Sequence, residues 1–179
     1  MLHLAGITMI GMPLVAMIID YFSSDLVLKD RIFLGEPLWQ QIGIGLIVGL
    51  ISGFFAAKIS EMKFMEKVSK KYSQAFESIN LNTSQVIFIS ICAGFGEEIL
   101  FRGALQFFFG IVFTAILFVA IHGYLNPKDW RISLYGLYMT LVICTFGWLT
   151  EKFGLWTAIV AHSIVDLYLL KEMIHQEET

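Results

Sequence analysis

The sequence predicts an all-α fold, a polytopic membrane bundle of about six transmembrane helices. Hydrophobic residues make up 57% of the 179-residue chain and charged residues only 15%, whereas a soluble domain carries about 25% charged residues. The apolar residues also fall in runs long enough to cross a bilayer, which requires about 20 residues per helix. The sequence does not alternate as a membrane barrel does, so each run is predicted to be a helix.

Six predicted spans follow one another along the chain. The first is predicted to be a retained helix rather than a signal peptide, because no Lys or Arg precedes it and no small-residue cleavage site follows it. Gly110 separates the third span from the fourth, and Gly154 opens the sixth. Asn126-Pro127 ends the fourth. The spans cover residues 3–22, 38–57, 84–109, 110–125, 131–150 and 154–171.

A basic linker separates the second span from the third. It is interpreted as an amphipathic cytoplasmic segment whose Phe64, Met65 and Val68 lie on the membrane surface, with a plain solvated helix as the alternative. Placing the linker inside leaves eight basic residues inside and three outside. The positive-inside rule then predicts cytoplasmic termini, and the plasma (cytoplasmic) membrane is the predicted location.

Three segments are predicted. Residues 1–83 form a variable N-terminal pair of spans with the linker, residues 84–172 form the core, and residues 173–179 form a cytoplasmic tail. The net charge of −3 gives no support for a nucleic-acid partner.

Gly45, Gly49 and Gly53 form a stripe of small residues on the second span, at spacings of four. Such a stripe lets another helix approach closely. The approaching helix belongs either to the same chain or, as the alternative, to a second copy in a homodimer.

Three ionisable residues lie in one of the most apolar stretches of the chain: Glu97, Glu98 and Arg102. A buried charge is costly unless it is paired or hydrated, so these residues mark a functional segment. Glu98 and Arg102 are four residues apart and are predicted to form an ion pair on one helix face. Glu97 points about 100° away around the helix. It is therefore predicted to be the carboxyl that is free for general acid–base chemistry.

Two histidines complete the polar set. His122 follows Phe118 by four residues, and taken alone it is best explained as a structural histidine bonded to a carbonyl of a neighbouring helix. His162 and Asp166 share one helix face and suit a metal-binding pair, an oriented imidazole or a simple polar clamp. Together with Glu97, these groups can activate water directly. Alternatively, all four side chains bind a divalent metal, zinc being the candidate.

Straight helices would keep two of these groups apart. Glu97 would lie about 20 Å from the start of its span and His122 about 5 Å from the cytoplasmic end of its own, at 1.5 Å per residue. The third helix must therefore begin deeper or break at Gly94–Gly96, or the fourth must be tilted with its end sunk in the bundle. Non-helical backbone at that depth predicts a wet cavity open to the cytoplasm.

The motifs resemble those of the CPBP family of intramembrane proteases, also called the CAAX protease and bacteriocin-processing, or Abi, family. Its three signatures are Glu-Glu-x-x-x-Arg, Phe-x-x-x-His and His-x-x-x-Asn or Asp, and all three occur here in that order within about residues 86–172. The matching residues are Glu97-Glu98-x-x-x-Arg102, Phe118-x-x-x-His122 and His162-x-x-x-Asp166.

The resemblance implies a helical membrane endopeptidase acting on membrane-associated substrates of the CAAX-like or bacteriocin-leader type. It implies that Glu97 and His122 activate the water and that His162 and Asp166 occupy the oxyanion-stabilising positions. The other two charged residues of the first signature have supporting roles by the same analogy. Family members are described both as metalloproteases and as glutamate proteases without a catalytic metal, so both mechanisms remain open.

Asp166 departs from the asparagine that is common in the third signature. An amide donates hydrogen bonds, whereas an ionised carboxylate only accepts them, so Asp166 would stabilise an oxyanion only when protonated. A carboxylate is also the better metal ligand, which favours the metal interpretation.

Two other functions remain as alternatives. One is a non-catalytic bacteriocin-immunity or accessory membrane protein of the same fold, which sequesters a peptide. The other is a proton-coupled transporter that relays protons through Glu97, His122 and Asp166. The complete signature set disfavours the first alternative, and the small size without an inverted repeat disfavours the second.

Overall fold

A computed structural model shows a bundle of long helices, which confirms the predicted all-α class. The structure describes residues 1–23, 25, 27–70 and 81–175, without the side chain of His175. In this part of the chain there is no β-strand, only an isolated bridge between Gly35 and Gly154. The elements are α1 (Leu2–Phe22), α2 (Leu28–Phe33), α3 (Leu38–Ser60), α4 (Thr83–Glu98), a π-helical turn (Ile99–Leu105), α5 (Gln106–Ile121), α6 (Trp130–Phe153) and α7 (Leu155–His175).

The protein is an integral membrane protein by the apolar length of its helices. Within the described residues, four helical stretches are long and apolar enough to cross a membrane. One of them folds at Gly110, whose backbone (φ 72, ψ 173) is not helical, at the position where the third and fourth spans were predicted to separate. The total of about six spans stays a prediction. The four stretches are Leu2–Phe22, Leu38–Ser60, Thr83–Ile121 and Trp130–Phe153.

The glycine stripe of α3 packs against α7 of the same chain. A Cβ on Gly45 would lie 2.7 Å from the carbonyl oxygen of Thr157, and one on Gly49 would lie 2.7 Å from that of Ala161. Gly53 meets the next turns of α7 in the same way, at 3.0 Å from a side-chain carbon. Packing within the chain is therefore confirmed. A homodimer through this stripe would first have to displace α7.

We expect Gly49→Ala to lower the free energy of unfolding by about 1–3 kcal/mol, the usual penalty of overpacking. The new methyl group would meet the Ala161 carbonyl oxygen at 2.7 Å and the Cβ of Ile164 at 2.8 Å, so the two helices must move apart. Gly43→Ala on the same helix is the control, since no described atom lies within 4 Å of its added Cβ. Thermal unfolding in detergent measures both variants, and equal stability of the two would contradict this packing.

Gly94 and Gly96 do not break the third span. Helix α4 runs through both residues to Glu98, and each glycine instead lets a neighbouring segment approach. A Cβ on Gly94 would collide with the side chain of Ser163 in α7, and one on Gly96 would collide with the backbone of Thr8 in α1. The predicted break at Gly94–Gly96 is therefore wrong. The departure from α-helical geometry comes directly after Glu98, in the π-helical turn.

The basic linker packs into the bundle instead of lying on the membrane surface. Met65 and Val68 are buried at 3% and 6% exposure, and Phe64 stacks on Trp130 with ring centroids 5.7 Å apart. The predicted location of Met65 and Val68 on the membrane surface is therefore wrong, whereas the alternative of a solvated helix is not tested for the linker as a whole. Residues 71–80 of the linker lie outside the described residues. The stack places the described part of the linker next to the start of α6, and the orientation in the membrane stays a prediction.

Helix α7 continues to His175, so the predicted tail (173–179) begins inside this helix. Residues 176–179 lie outside the described part of the chain.

Candidate active site

Glu97 and His122 meet because the chain reverses direction at Gly110. The positive φ of 72° at this residue is a conformation that glycine adopts at little cost. Glu97 lies 13 residues before Gly110 and His122 lies 12 residues after it, so equal helical rise brings them level on the two arms. The His122 Nε2 atom is 3.5 Å from Oε2 of Glu97.

The end of α5 lies level with Glu97, but Ile121 there is 59% exposed, so the sinking of this end into the bundle stays a prediction. Helix α5 ends at Ile121, level with Glu97 and therefore about 20 Å along the helix axis from the start of α4. The chain then continues along α6 without helical structure, so that the Tyr124 carbonyl touches the position of a Cβ on Gly136. Non-helical backbone therefore lies next to the site.

The Phe-x-x-x-His spacing fixes the orientation of the His122 ring. Its Nδ1 atom lies 2.7 Å from the carbonyl oxygen of Phe118, and the two rings stack with centroids 4.3 Å apart. In the neutral tautomer Nδ1–H donates to this carbonyl, which leaves the Nε2 lone pair facing Glu97. The hydrogen bond to a carbonyl that was expected of a structural histidine is present, but the carbonyl belongs to the same helix and not to a neighbouring one. The Nε2 atom of His122 remains available for chemistry.

Glu98 is fully buried and has two partners. Its Oε1 atom is 3.0 Å from Arg102 Nη1 and 2.7 Å from His162 Nδ1. The predicted ion pair between Glu98 and Arg102 is therefore confirmed. The bond to His162, 64 residues away in the chain, was not predicted. Two close partners offset much of the penalty for burying this carboxylate.

His162 lies between two carboxyl groups. Its Nδ1 atom bonds Glu98, and its Nε2 atom is 3.6 Å from Oδ2 of Asp166, so the predicted common face of His162 and Asp166 is confirmed. The Phe118 ring contacts both histidines, with its centroid 5.6 Å from that of His162. It also lies 4.9 Å below the guanidinium carbon of Arg102. The Phe118 ring therefore lies between the imidazole of His122 and that of His162.

The site is closed at its base and partly open at its rim. The side chains of His122 and Asp166 are 33% and 30% exposed, whereas Glu98 is completely buried. Glu97 lies between these extremes, and its Oε2 atom is buried without a hydrogen bond among the described residues. That oxygen is available to a water molecule. The predicted wet cavity fits this pattern of exposure and stays a prediction.

The four predicted metal ligands are arranged as two pairs and not around a single point. Where residues are described, no three His, Cys, Asp or Glu side chains converge as metal ligands do. Glu97 pairs with His122, His162 pairs with Asp166, and the second nitrogen of His162 is bonded to Glu98. This arrangement of separate pairs does not fit a four-ligand zinc site.

A helical membrane bundle with a carboxylate–imidazole pair beside a second, oriented imidazole has the components of an intramembrane peptidase. Residues 79–168 match the family model described as Type II CAAX prenyl endopeptidase Rce1-like. The match covers half of the chain, and the protein belongs to this family of membrane proteases. The predicted family is thereby confirmed. Neither the curated proteins nor the solved structures that were searched gave a match.

Proposed function

We propose that this protein is an intramembrane endopeptidase in which Glu97 and His122 activate a water molecule. The observation that supports this most directly is the contact between the two side chains, with Nε2 and Oε2 3.5 Å apart. A water molecule beside this pair can donate one hydrogen bond to the carboxylate and one to the imidazole. The substrates we propose are membrane-associated proteins or peptides of the CAAX-like or leader type.

In this mechanism Glu97 moves the proton. Its carboxylate takes one proton from the water as the water oxygen attacks the carbonyl carbon of the scissile peptide bond. The resulting tetrahedral intermediate carries the negative charge on the former carbonyl oxygen. Glu97 then returns the proton to the leaving nitrogen as the C–N bond breaks, so that one carboxyl group and one amine are formed. His122 holds the water through its Nε2 atom during the attack.

His162 is suited to stabilise the oxyanion. Glu98 accepts a hydrogen bond from Nδ1 and so fixes the ring, as a carboxylate commonly does for a functional imidazole. When the imidazole is protonated, its Nε2–H is a donor for the developing oxygen charge. Asp166 lies on that same side of the ring, at 3.6 Å, and sets the direction in which this donor points.

We expect Asp166→Asn to keep the cleavage rate within about threefold of wild type, because an amide of the same size keeps the contact to His162 and can also donate. Asp166→Ala should lower the rate by up to roughly 100-fold, the effect of losing an oxyanion-hole donor, because the Nε2–H of His162 would no longer be oriented. Rates are measured on the same peptide in the same detergent. An asparagine variant as inactive as the alanine variant would show that the carboxylate itself is required, as it is in a metal ligand.

The function is tested with purified protein in lipid vesicles and a library of membrane-anchored peptides, including prenylated C-terminal and leader-type sequences. Mass spectrometry then locates each cut relative to the bilayer. Cleavage by the wild type supports the proposal. Peptide binding without cleavage would support an accessory protein, and proton flux without cleavage would support a transporter.

The same assay with a chelator decides between water alone and zinc. We expect the rate to be unchanged, because the site side chains form separate pairs. Loss of activity that added zinc restores would establish the metal mechanism instead.

We also propose that the enzyme lies in the plasma membrane, with both termini on the cytoplasmic side and with its transmembrane helices in contact with lipid.

A further inference from the structure

Arg31 lies outside the segment that matches the family, yet its side chain reaches the main chain of the site. Its Nε and Nη2 atoms donate to the carbonyl oxygen of Arg102 at 3.3 and 3.2 Å. The same Nη2 atom is 2.6 Å from Oε1 of Glu151. One side chain of α2 therefore ties the π-helical turn to α6.

The π-helical turn takes away the usual α-helical donor of the Arg102 carbonyl. In an α-helix it would accept the N–H of Gln106, four residues further on. Here the Gln106 N–H donates to the carbonyl of Phe101, five residues back. A π-helical turn leaves such a carbonyl without its usual partner, and a buried carbonyl without a donor is costly. The guanidinium of Arg31 supplies two N–H groups in its place.

Helix α2 is held firmly enough to act as a support. At its start, the Leu28 N–H donates to the Asp20 carboxylate at 2.8 Å. The buried Leu28 side chain covers Gly103 of the π-helical turn, 3.0 Å from the position of a Cβ there. Beyond its end, the Glu36 N–H donates to the carbonyl of Phe153 at 2.8 Å. Arg31 therefore approaches the turn from a segment that is pinned on both sides.

We propose that Arg31 is a positioning residue that keeps the 99–105 turn in its π-helical register. A π-helical turn holds one residue more than an α-helical turn. Reversion to α-helical geometry would shift the hydrogen-bond register by one residue and rotate α4 relative to α5 by about 100°. Glu97 would then turn away from His122, and Glu98 would leave His162. This inference rests on the proposed peptidase function for its kinetic test, but it concerns a residue of the N-terminal segment that touches no reacting atom.

The kinetic test compares Arg31→Met with Lys29→Met, a matched loss of positive charge at an exposed position of the same helix. We expect kcat of Arg31→Met to fall on the order of 100-fold, the effect of a misplaced catalytic group, with KM changed less than about threefold because no substrate contact is removed. Lys29→Met should match wild type. A wild-type kcat in Arg31→Met, with only a lower thermal stability, would overturn the proposal.

Two further variants separate the parts of this contact. Arg31→Lys offers a single ammonium group in place of the two-pronged guanidinium, so we expect kcat to fall about tenfold. If Arg31→Met does not fold, the Arg31→Lys variant tests the positioning role by itself, since full activity of Arg31→Lys would overturn the proposal. Glu151→Gln leaves both bonds to the Arg102 carbonyl in place and should stay closer to wild type than Arg31→Met does.

A spectroscopic readout needs no substrate. The imidazole N–H of His162, hydrogen-bonded to Glu98, is observed by proton NMR in detergent micelles and identified by its loss in His162→Ala. We expect this resonance to shift or vanish in Arg31→Met and to stay unchanged in Lys29→Met. An unchanged resonance in Arg31→Met would overturn the positioning role even in an active enzyme. Failure to cleave any peptide would overturn the proposed function, but the NMR comparison would still test the positioning role of Arg31.

Discussion

Glu97→Gln is expected to lower the rate of peptide cleavage about 1,000-fold, within the range that general acid–base catalysis supplies. The amide has the shape of the carboxylate, but it takes up no proton from water at neutral pH. The side chain keeps its place beside His122, so thermal unfolding should stay close to that of wild type. The measurement is the cleavage rate of the purified variant in vesicles, under the conditions used for wild type.

The control for this variant is Glu36→Gln, the same chemical change at an exposed residue, which should leave the rate unchanged. His122→Ala should cause a loss similar to that of Glu97→Gln. Because the two side chains would act on one water, the double variant should be little worse than either single variant. Cleavage that survives both substitutions would rule out this pair as the catalytic groups.

Arg102→Met is expected to have the largest effect on folding, a loss of about 3–5 kcal/mol in the free energy of unfolding. It removes the guanidinium that lies 3.0 Å from the fully buried carboxylate of Glu98 and leaves that charge with His162 alone. The measurement is denaturant or thermal unfolding in detergent, together with the yield of monodisperse protein. Lys63→Met at an exposed linker position is the control, with an expected change within about 0.5 kcal/mol.

The double variant Glu98→Gln with Arg102→Met separates charge from packing. Both buried charges are absent, so stability should return to within about 1–2 kcal/mol of wild type. Activity should not return, because His162 has lost the carboxylate that orients its ring. A single Arg102→Met variant as stable as wild type would contradict the role given to this ion pair.

Local features of the fold and site were predictable from the sequence. The Glu98–Arg102 pair and the common face of His162 and Asp166 both depend on a spacing of four residues within one helix, which the 3.6-residue repeat determines. The separation of two spans at Gly110 was predictable because glycine tolerates the backbone that a reversal requires. The stripe at Gly45, Gly49 and Gly53 predicted a close helix approach without showing which helix approaches.

Features that depend on distant contacts were not predictable. Met65 and Val68 occur in a basic segment whose composition suits a membrane surface, but tertiary packing buries them. The glycines at positions 94 and 96 are as compatible with a helix break as with close packing, and only the positions of α1 and α7 decide between these. The π-helical turn has no sequence signal that we recognise, and Arg31 lies in a short segment of mixed polar and apolar residues that carries no motif.

The sequence by itself determined the all-α membrane class, the family signatures and the candidate site residues, because hydrophobic length, motif spacing and helical periodicity are local properties of the chain. Only the tertiary structure decided how those residues pair. Glu97 reaches His122 through the reversal at Gly110, and Glu98 reaches His162 across 64 residues. Helix faces are set by the spacing of residues, but which faces meet depends on how closely the helices pack and where the chain turns back.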